Sequence, residues 1–189
     1  MSALTVLIIR HAEKPGESWP GTGLTVNGVP DERSLVIRGW QRAGSWSALF
    51  GTGLGGPDYP APSVIYAADP NASAGDETSQ RPFETVTPLA ARLGLTPDTT
   101  YAVGEEIQLA ATVVRQTGVV LVAWEQKAIA RTLLQAIANG RSLPGRPTKW
   151  DGTRSDVVLR FDRTSLEAPW FFRRLCPCLL SGDSANPMG

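Results

Sequence analysis

Short apolar runs alternate with helix-spaced segments along the whole chain, and this alternation restricts the fold more than any other feature. Leu4 to Ile9 is a β-branched run. It and Val119 to Ala123 (Val-Val-Leu-Val-Ala) read as buried strands, and Ser63 to Ala67 and Val157 to Phe161 read as two more strands. Leu35 to Phe50 predicts a helix burying Trp40, Ala43, Leu49 and Phe50. A second helix starts near Arg81, because Pro82 suits a first-turn position. It carries Phe83, Val86, Ala90 and Leu93 at helical spacing and ends at Gly94. Glu105 to Arg115 forms a third through Ile107, Leu109, Ala110 and Val113. A fourth carries Ile129, Leu133 and Ile137 and stops at Gly140. Strands that alternate with helices pack as a mostly parallel sheet covered on both faces. The expected architecture is a single three-layer α/β/α domain over residues 1–189, with an irregular tail from about Leu175. A chain of 189 residues has the material for one such core, and no repeat, linker or low-complexity block divides it.

Composition narrows the chemistry. The chain has one histidine, His11, which excludes a zinc site built on several imidazoles and a His–His proton relay. Eighteen basic residues balance eighteen acidic ones, so bulk charge points neither to nucleic acid nor to an anionic membrane. Fifteen of the basic residues are Arg and three are Lys (Lys14, Lys127, Lys149), and Arg is the residue that grips anions bidentately. Cys176 and Cys178 form a C-x-C, a spacing that rarely closes a low-strain disulfide, so free thiols and a reducing compartment are expected. The N-terminus has no basic n-region, its apolar run is too short for a signal peptide, and no run approaches a membrane span. Cytoplasmic location is the default expectation.

Two motifs carry no chemistry. Gly51, Gly53 and Gly56 match G-x-G-x-x-G, but the match follows a helix and runs into Pro57, which makes it a turn. Asn71-Ala72-Ser73 is a glycosylation sequon that a cytoplasmic chain would not use.

Three segments stand out. Arg10-His11-Ala12-Glu13 ends the first strand, and ligands collect beyond the carboxyl ends of parallel strands. An Arg and a His placed there can face an anion together. Ser79-Gln80-Arg81-Pro82-Phe83-Glu84-Thr85 puts a guanidinium beside the free amides of a helix start, a suitable phosphate anchor. Ala123-Trp124-Glu125-Gln126 lies where the third strand hands over to a helix.

Together, and in this order, the segments resemble the histidine phosphatase superfamily, the phosphoglycerate-mutase-like group, over nearly the whole chain. Leu7-Ile-Ile-Arg10-His11-Ala-Glu13-Lys14-Pro resembles that family's opening Arg-His motif, and Leu35-Val-Ile-Arg38-Gly39-Trp-Gln41-Arg42-Ala43 its first-helix pattern. Arg81-Pro-Phe-Glu84-Thr85, followed by Pro88-Leu89-Ala90, is similar to the segment with the second phosphate-binding Arg. Gly118 to Gln126 occupies the place of the strand-end histidine, where a branch of the family reads Trp-Glu-His. Here the third residue is Gln126.

The resemblance implies a metal-independent phosphomonoester hydrolase without cofactor, acting on a small phosphorylated substrate. His11 would be the nucleophile that forms a phosphohistidine, with Arg10 and Arg81 holding the phosphoryl oxygens. Gln126 would stand where the family's second histidine donates to the phosphoryl group. A carboxylic acid must protonate the leaving alkoxide, and Glu105 and Glu106 lie in the region where the mutase-like branch carries it. Glu13 and Glu125 are substitutes. The loop from Pro15 to Arg33 and the Gly-rich loop after Phe50 would shape the pocket. Charge-assisted hydrogen bonds contribute about 1.5–3 kcal/mol and neutral ones about 0.5–1.5, so a Gln for a His predicts a slower enzyme. The second reading is a degenerate member that binds a phosphorylated ligand or protein without turnover.

Overall fold

The computed structural model describes residues 3–72 and 79–188. Its elements in chain order are β1 (Leu4–Arg10), α1 (Ile37–Gly51), β2 (Val64–Ala67), α2 (Arg81–Leu93), α3 (Glu106–Val113) and β3 (Gly118–Trp124). There follow α4, which runs as Gln126–Ala128, a π-helical stretch Ile129–Leu133 and Leu134–Ala138, then β4 (Val158–Arg163) and β5 (Phe171–Leu175). The strands form one sheet in the order β2-β3-β1-β4-β5. β2, β3 and β1 are parallel, with Leu4 opposite Gly118 through Arg10 opposite Trp124, while β4 and β5 pair antiparallel.

The alternation of side chains along β1 divides the core. Leu4, Val6 and Ile8 pack with Leu109 and Val113 of α3 and Ile129, Leu133 and Ile137 of α4. Leu7 and Ile9 point the other way, onto Trp46 and Phe50 of α1 and Val86 and Leu89 of α2. This is the expected three-layer α/β/α domain. Both faces of β1 and β3 are buried, which is why their sequences read as unbroken apolar runs.

Several local expectations shift. α1 begins at Ile37, two residues late, because the Leu35 amide donates to Glu84 Oε2 at 2.9 Å and the Val36 amide to the Glu13 carbonyl at 3.2 Å. The later start rotates the buried face: Arg42, Ala43, Trp46 and Phe50 are buried, whereas Trp40 and Leu49 are only half-buried. Ile107 of α3 is exposed. β5 was not anticipated, since Phe171-Phe-Arg-Arg-Leu lacks a β-branched run, and its Arg173 reaches Asp58 at 2.6 Å across the sheet edge. Gly51 ends α1, and Gly53 and Gly56 lie in the turn after it. The Asn71-Ala72-Ser73 sequon runs into residues outside those described.

Beyond β5 the chain is irregular yet pinned. Asp183 accepts from Arg42 at 2.7 Å through both carboxylate oxygens, the Ser184 and Asn186 carbonyls accept from Arg154 at 3.0 and 2.8 Å, and Met188 is buried. Cys176 and Cys178 are free thiols. Among the described residues, no helix is long and apolar enough to cross a membrane.

Candidate active site

His11 is the first residue past β1, and its amide extends the parallel pairing by donating to the Trp124 carbonyl at 3.0 Å. The next amide, of Ala12, donates to Thr85 Oγ1 at 2.8 Å, and that hydroxyl donates onward to the Arg81 carbonyl at 2.7 Å. One threonine thus ties the end of β1 to the first turn of α2 and sets Arg81 beside His11. The ring is only 4 % exposed. Its Nδ1 lies 2.8 Å from the Ala12 carbonyl, which can only accept. Nδ1 therefore carries the proton of the neutral ring, and Nε2 keeps its lone pair. Burial first, then the fields of Arg10, Arg81 and Lys14, lower the imidazole pKa from 6.5 to about 3, against the opposing pull of the Ala12 carbonyl. At neutral pH the ring is an uncharged base held in one tautomer.

A cavity of about 240 Å³ opens on His11 at the carboxyl edge of the parallel strands. Its wall carries Lys14, Arg81, Lys127 and Gln126 as donors, with Asp69 and Glu125 as its carboxyl groups. Each strand of the parallel trio delivers part of it: His11 follows β1, Asp69 follows β2, and Glu125 and Gln126 follow β3. Arg81 donates to the Glu32 carbonyl at 2.6 Å. Gln126 accepts from Arg10 Nε through Oε1 at 3.2 Å, which leaves its amide NH₂ as the end that can donate to a ligand.

Arg10 is placed differently from the expectation of an open phosphate fork. It is fully buried and does not line the cavity. Nη1 donates to the carbonyls of Gly152 (2.6 Å) and Arg154 (3.4 Å), Nε meets Gln126, and Nη2 is engaged by the Glu17 carboxylate. Glu17 belongs to the loop from Pro15 to Arg33, so that loop acts on the site through Arg10 and lends no residue to the cavity wall. The Gly-rich loop after α1 contributes none either. It leads into the amino end of β2, whereas the cavity opens at the carboxyl end.

The structure does not bring Glu105 and Glu106 to the cavity. Glu106 is buried and accepts from Trp124 Nε1 and the Gly104 amide, both at 2.8 Å, while Glu105 accepts from the Ala102 amide at 2.8 Å. Both carboxylates serve the start of α3. Glu13 is likewise removed, paired with Arg42 at 2.7 Å and close to Arg38 at 3.8 Å. Sequence reasoning missed Asp69, although its place just after a parallel strand was a usable signal. Among the described residues, no group of three or more His, Cys, Asp or Glu side chains could hold a metal ion. Another cavity, about 690 Å³ between α3, α4 and the β4–β5 connection, shares no residue with the His11 cavity.

No protein-family model matches the sequence, and no curated protein matches it. Solved structures do match in three dimensions. Mycobacterial glucosyl-3-phosphoglycerate phosphatase superposes with a TM-score of 0.57 at 14% identity, over 90% of this chain and 97% of that one. The protein histidine phosphatase SixA, complexed with tungstate, gives 0.52 at 14% identity over 92% and 97%. YhfR of Bacillus stearothermophilus gives 0.52 at 14% identity over 96% and 98%. The chain has the histidine phosphatase fold. In that fold the carboxyl edge of the parallel strands here presents one imidazole, three cationic side chains, two carboxyl groups and a glutamine on the cavity.

Proposed function

We propose that this chain is a phosphomonoester hydrolase of the histidine phosphatase superfamily that works through a phosphohistidine at His11. The observation that carries the reading is the state of the ring. A neutral imidazole with Nδ1–H fixed on a carbonyl leaves Nε2 as the nucleophilic nitrogen of a ring that lines a cavity with Lys14, Arg81 and Lys127 on its wall. Arg81 and Lys14 take the phosphoryl oxygens, Gln126 adds a neutral donor, and Arg10 contributes its field and its contact with Gln126. The Nε2 lone pair forms a bond to phosphorus as the bond to the ester oxygen breaks, with charge on the equatorial oxygens met by these fixed donors. The leaving alkoxide takes a proton from Glu125 or Asp69, the carboxyl groups on the cavity wall. Water then attacks the phosphohistidine and returns a proton to the same carboxylate, and the N–P bond breaks to release inorganic phosphate and the neutral ring. Burial, with Arg10, Arg81 and Lys14, keeps Nε2 unprotonated before attack, and the three cations stabilise the phosphoryl dianion afterwards.

Gln126 favours a second reading, a protein that binds a phosphorylated ligand without turning it over. Exchanging a charge-assisted donor for a neutral one costs roughly tenfold in rate, which slows the first reading without abolishing it. Incubation with a generic aryl phosphate, with a trap for acid-labile phosphoenzyme, separates the two. Wild type is expected to release product and label at His11, Gln126→His to work about tenfold faster, and His11→Ala to do neither. Wild type and Gln126→His both as inert as His11→Ala would end the hydrolase reading. Turnover in Gln126→His alone would support the binding protein.

A further inference from the structure

One turn along α2 from Arg81, a serine hydroxyl stands between two carboxyl groups. Ser34 is fully buried, and its Oγ lies 2.7 Å from Glu84 Oε1 and 3.0 Å from Asp31 Oδ2. A hydroxyl has one proton to donate, and an ionised carboxylate can only accept. With both carboxyls ionised, one of the two short contacts would set lone pair against lone pair with no proton between them. Two hydrogen bonds at this serine need two protons. Ser34 supplies one, so the other belongs to a carboxyl group.

The surroundings assign it to Glu84. Asp31 has donors of its own: the Arg33 amide and Arg33 Nε reach its Oδ1 at 3.1 and 3.4 Å, and they hold its carboxyl below the ordinary value. Glu84 is buried, with Asp31 facing it from the loop and Arg81 on its own helix. Burial and the facing Asp31 push the Glu84 carboxyl up, against the Leu35 amide and Arg81. A protonated Oε1 donates to Ser34 Oγ, the hydroxyl donates on to Asp31 Oδ2, and Glu84 Oε2 accepts the Leu35 amide at 2.9 Å. Asp31 is held in place, since its amide donates to the Gly23 carbonyl and its carbonyl accepts the Ser34 amide, both at 2.9 Å. The segment fastened in this way also holds the anion site. Arg81 Nη2 donates to the Glu32 carbonyl at 2.6 Å, and the Gln80 amide donates to the Arg33 carbonyl at 3.2 Å.

On the reading of Arg81 as a phosphoryl anchor, we propose that Glu84 is a positioning residue that works as a neutral acid: its proton completes the chain Glu84–Ser34–Asp31 and fixes the segment whose Glu32 carbonyl holds Arg81. When Glu84 ionises, its proton leaves to solvent, and the one proton of Ser34 serves only one of two carboxylates that now repel each other. The segment 31–35 loosens on α2, and Arg81 loses its brace. Phosphate binding therefore weakens as pH rises through the Glu84 titration.

Two measurements test this. The first is an NMR titration of protein carrying carboxyl-labelled glutamate, with Glu84→Gln assigning the signal. Glu84 is expected to ionise above the ordinary glutamate range, and Asp31→Asn to lower its midpoint by removing the facing charge. The second is calorimetric titration with inorganic phosphate across pH. Glu84→Gln copies the neutral acid, with its NH₂ toward Ser34 and its oxygen toward the Leu35 amide. It should match wild type below the Glu84 midpoint and bind phosphate about fivefold more tightly above it, a change of the size of one neutral hydrogen bond. The titration of phosphate itself is common to both proteins and cancels in that ratio. Glu84→Ala closes neither bond and should bind more weakly at every pH. An ordinary Glu84 titration, or an affinity ratio that stays constant with pH, would overturn the proposal. A Glu84→Gln that fails to fold would do the same, because its amide supplies every bond the neutral acid makes. Ester turnover enters neither measurement, so failure of the hydrolase reading shows separately, in the aryl phosphate assay.

Discussion

Acid should unfold this protein through His11 more than through any other imidazole chemistry, because it has no other imidazole. The ring's pKa is 6.5 in an open chain and about 3 in the fold. The unfolded chain therefore takes up a proton below about pH 6.5, and the folded chain does not until about pH 3. Above pH 6.5 His11 contributes nothing to pH dependence. Below it, the penalty grows by about 1.36 kcal/mol per pH unit, reaching about 2.7 kcal/mol at pH 4.5. The perturbation is His11→Asn, whose side-chain NH₂ can still donate to the Ala12 carbonyl and which cannot titrate. For a domain of this length about 1 kcal/mol corresponds to about 2–4 °C in Tm. Between pH 7.5 and 4.5 the variant should gain about 5–11 °C on wild type. Other groups act in both proteins and cancel. Asp183, for example, has its carboxyl lowered by Arg42 and the Leu180 amide despite the opposing cost of burial, so it loses stabilisation as pH falls in wild type and variant alike. Thermal melts at the two pH values measure the gap, and the single imidazole gives one unambiguous NMR titration. A gap that stays constant with pH, or a ring that titrates near 6.5, would refute the argument and with it the neutral nucleophile. Saturating inorganic phosphate should narrow the gap, because an anion beside the ring favours its protonated form.

Three further substitutions probe the surroundings of the ring. Glu17→Gln should tighten inhibition by inorganic phosphate about fivefold, since removing the carboxylate leaves the positive field of Arg10 uncompensated beside the cavity; an unchanged or weaker inhibition constant would count against Glu17 as the countercharge of Arg10. Gly39→Ala places a Cβ 2.5 Å from the Glu13 carbonyl oxygen, an overpacking cost of about 1–3 kcal/mol set against about 1 kcal/mol of helix propensity. A net loss in urea unfolding is expected, and a full gain of about 1 kcal/mol would show the contact to be absent. Asp183→Ala leaves buried Arg42 with Glu13 alone and should cost about 3 kcal/mol by the same measurement, toward the lower end for a broken buried pair. A loss below about 1 kcal/mol would show that the C-terminal segment does not brace α1.

The legible parts of the fold are those where one local pattern suffices. β1 and β3 are buried on both faces, so Leu4 to Ile9 and Val119 to Ala123 announce themselves as apolar runs. β5 is half-buried at a sheet edge, mixes Phe with Arg, and gives no such run. Helix existence was readable from spacing, but the start of α1 was not, because the Glu84 carboxyl group, 49 residues away, captures the Leu35 amide. The same division holds at the site. His11, Arg81 and Gln126 come together as their places at element ends imply. Glu105 and Glu106 lie at a helix start and stay there, since the Trp124 indole and backbone amides at 2.8 Å satisfy them locally. Nothing in the sequence near Glu17 announces that its carboxylate meets Arg10, because the contact depends on how the loop after β1 closes back over seven residues.

That closure gives the lone histidine a physical context. Burial, with Arg10, Arg81 and Lys14, already holds His11 uncharged. A protonated imidazole at position 126 would add a further positive charge beside Arg10 Nε, at the point where Gln126 now supplies an acceptor at 3.2 Å. A neutral imidazole there could accept from Arg10 or donate to a phosphoryl oxygen, each through a different ring nitrogen and only in one tautomer. Glutamine meets both demands with one amide, its oxygen toward the guanidinium and its NH₂ free for the ligand. What it lacks is charge, and charge on the donor is the quantity that the Gln126→His comparison varies. If that variant gains rate while Arg10 remains enclosed, donor charge limits turnover in this site. If it loses rate and the Tm falls with it, the acceptor for Arg10 is what position 126 must provide.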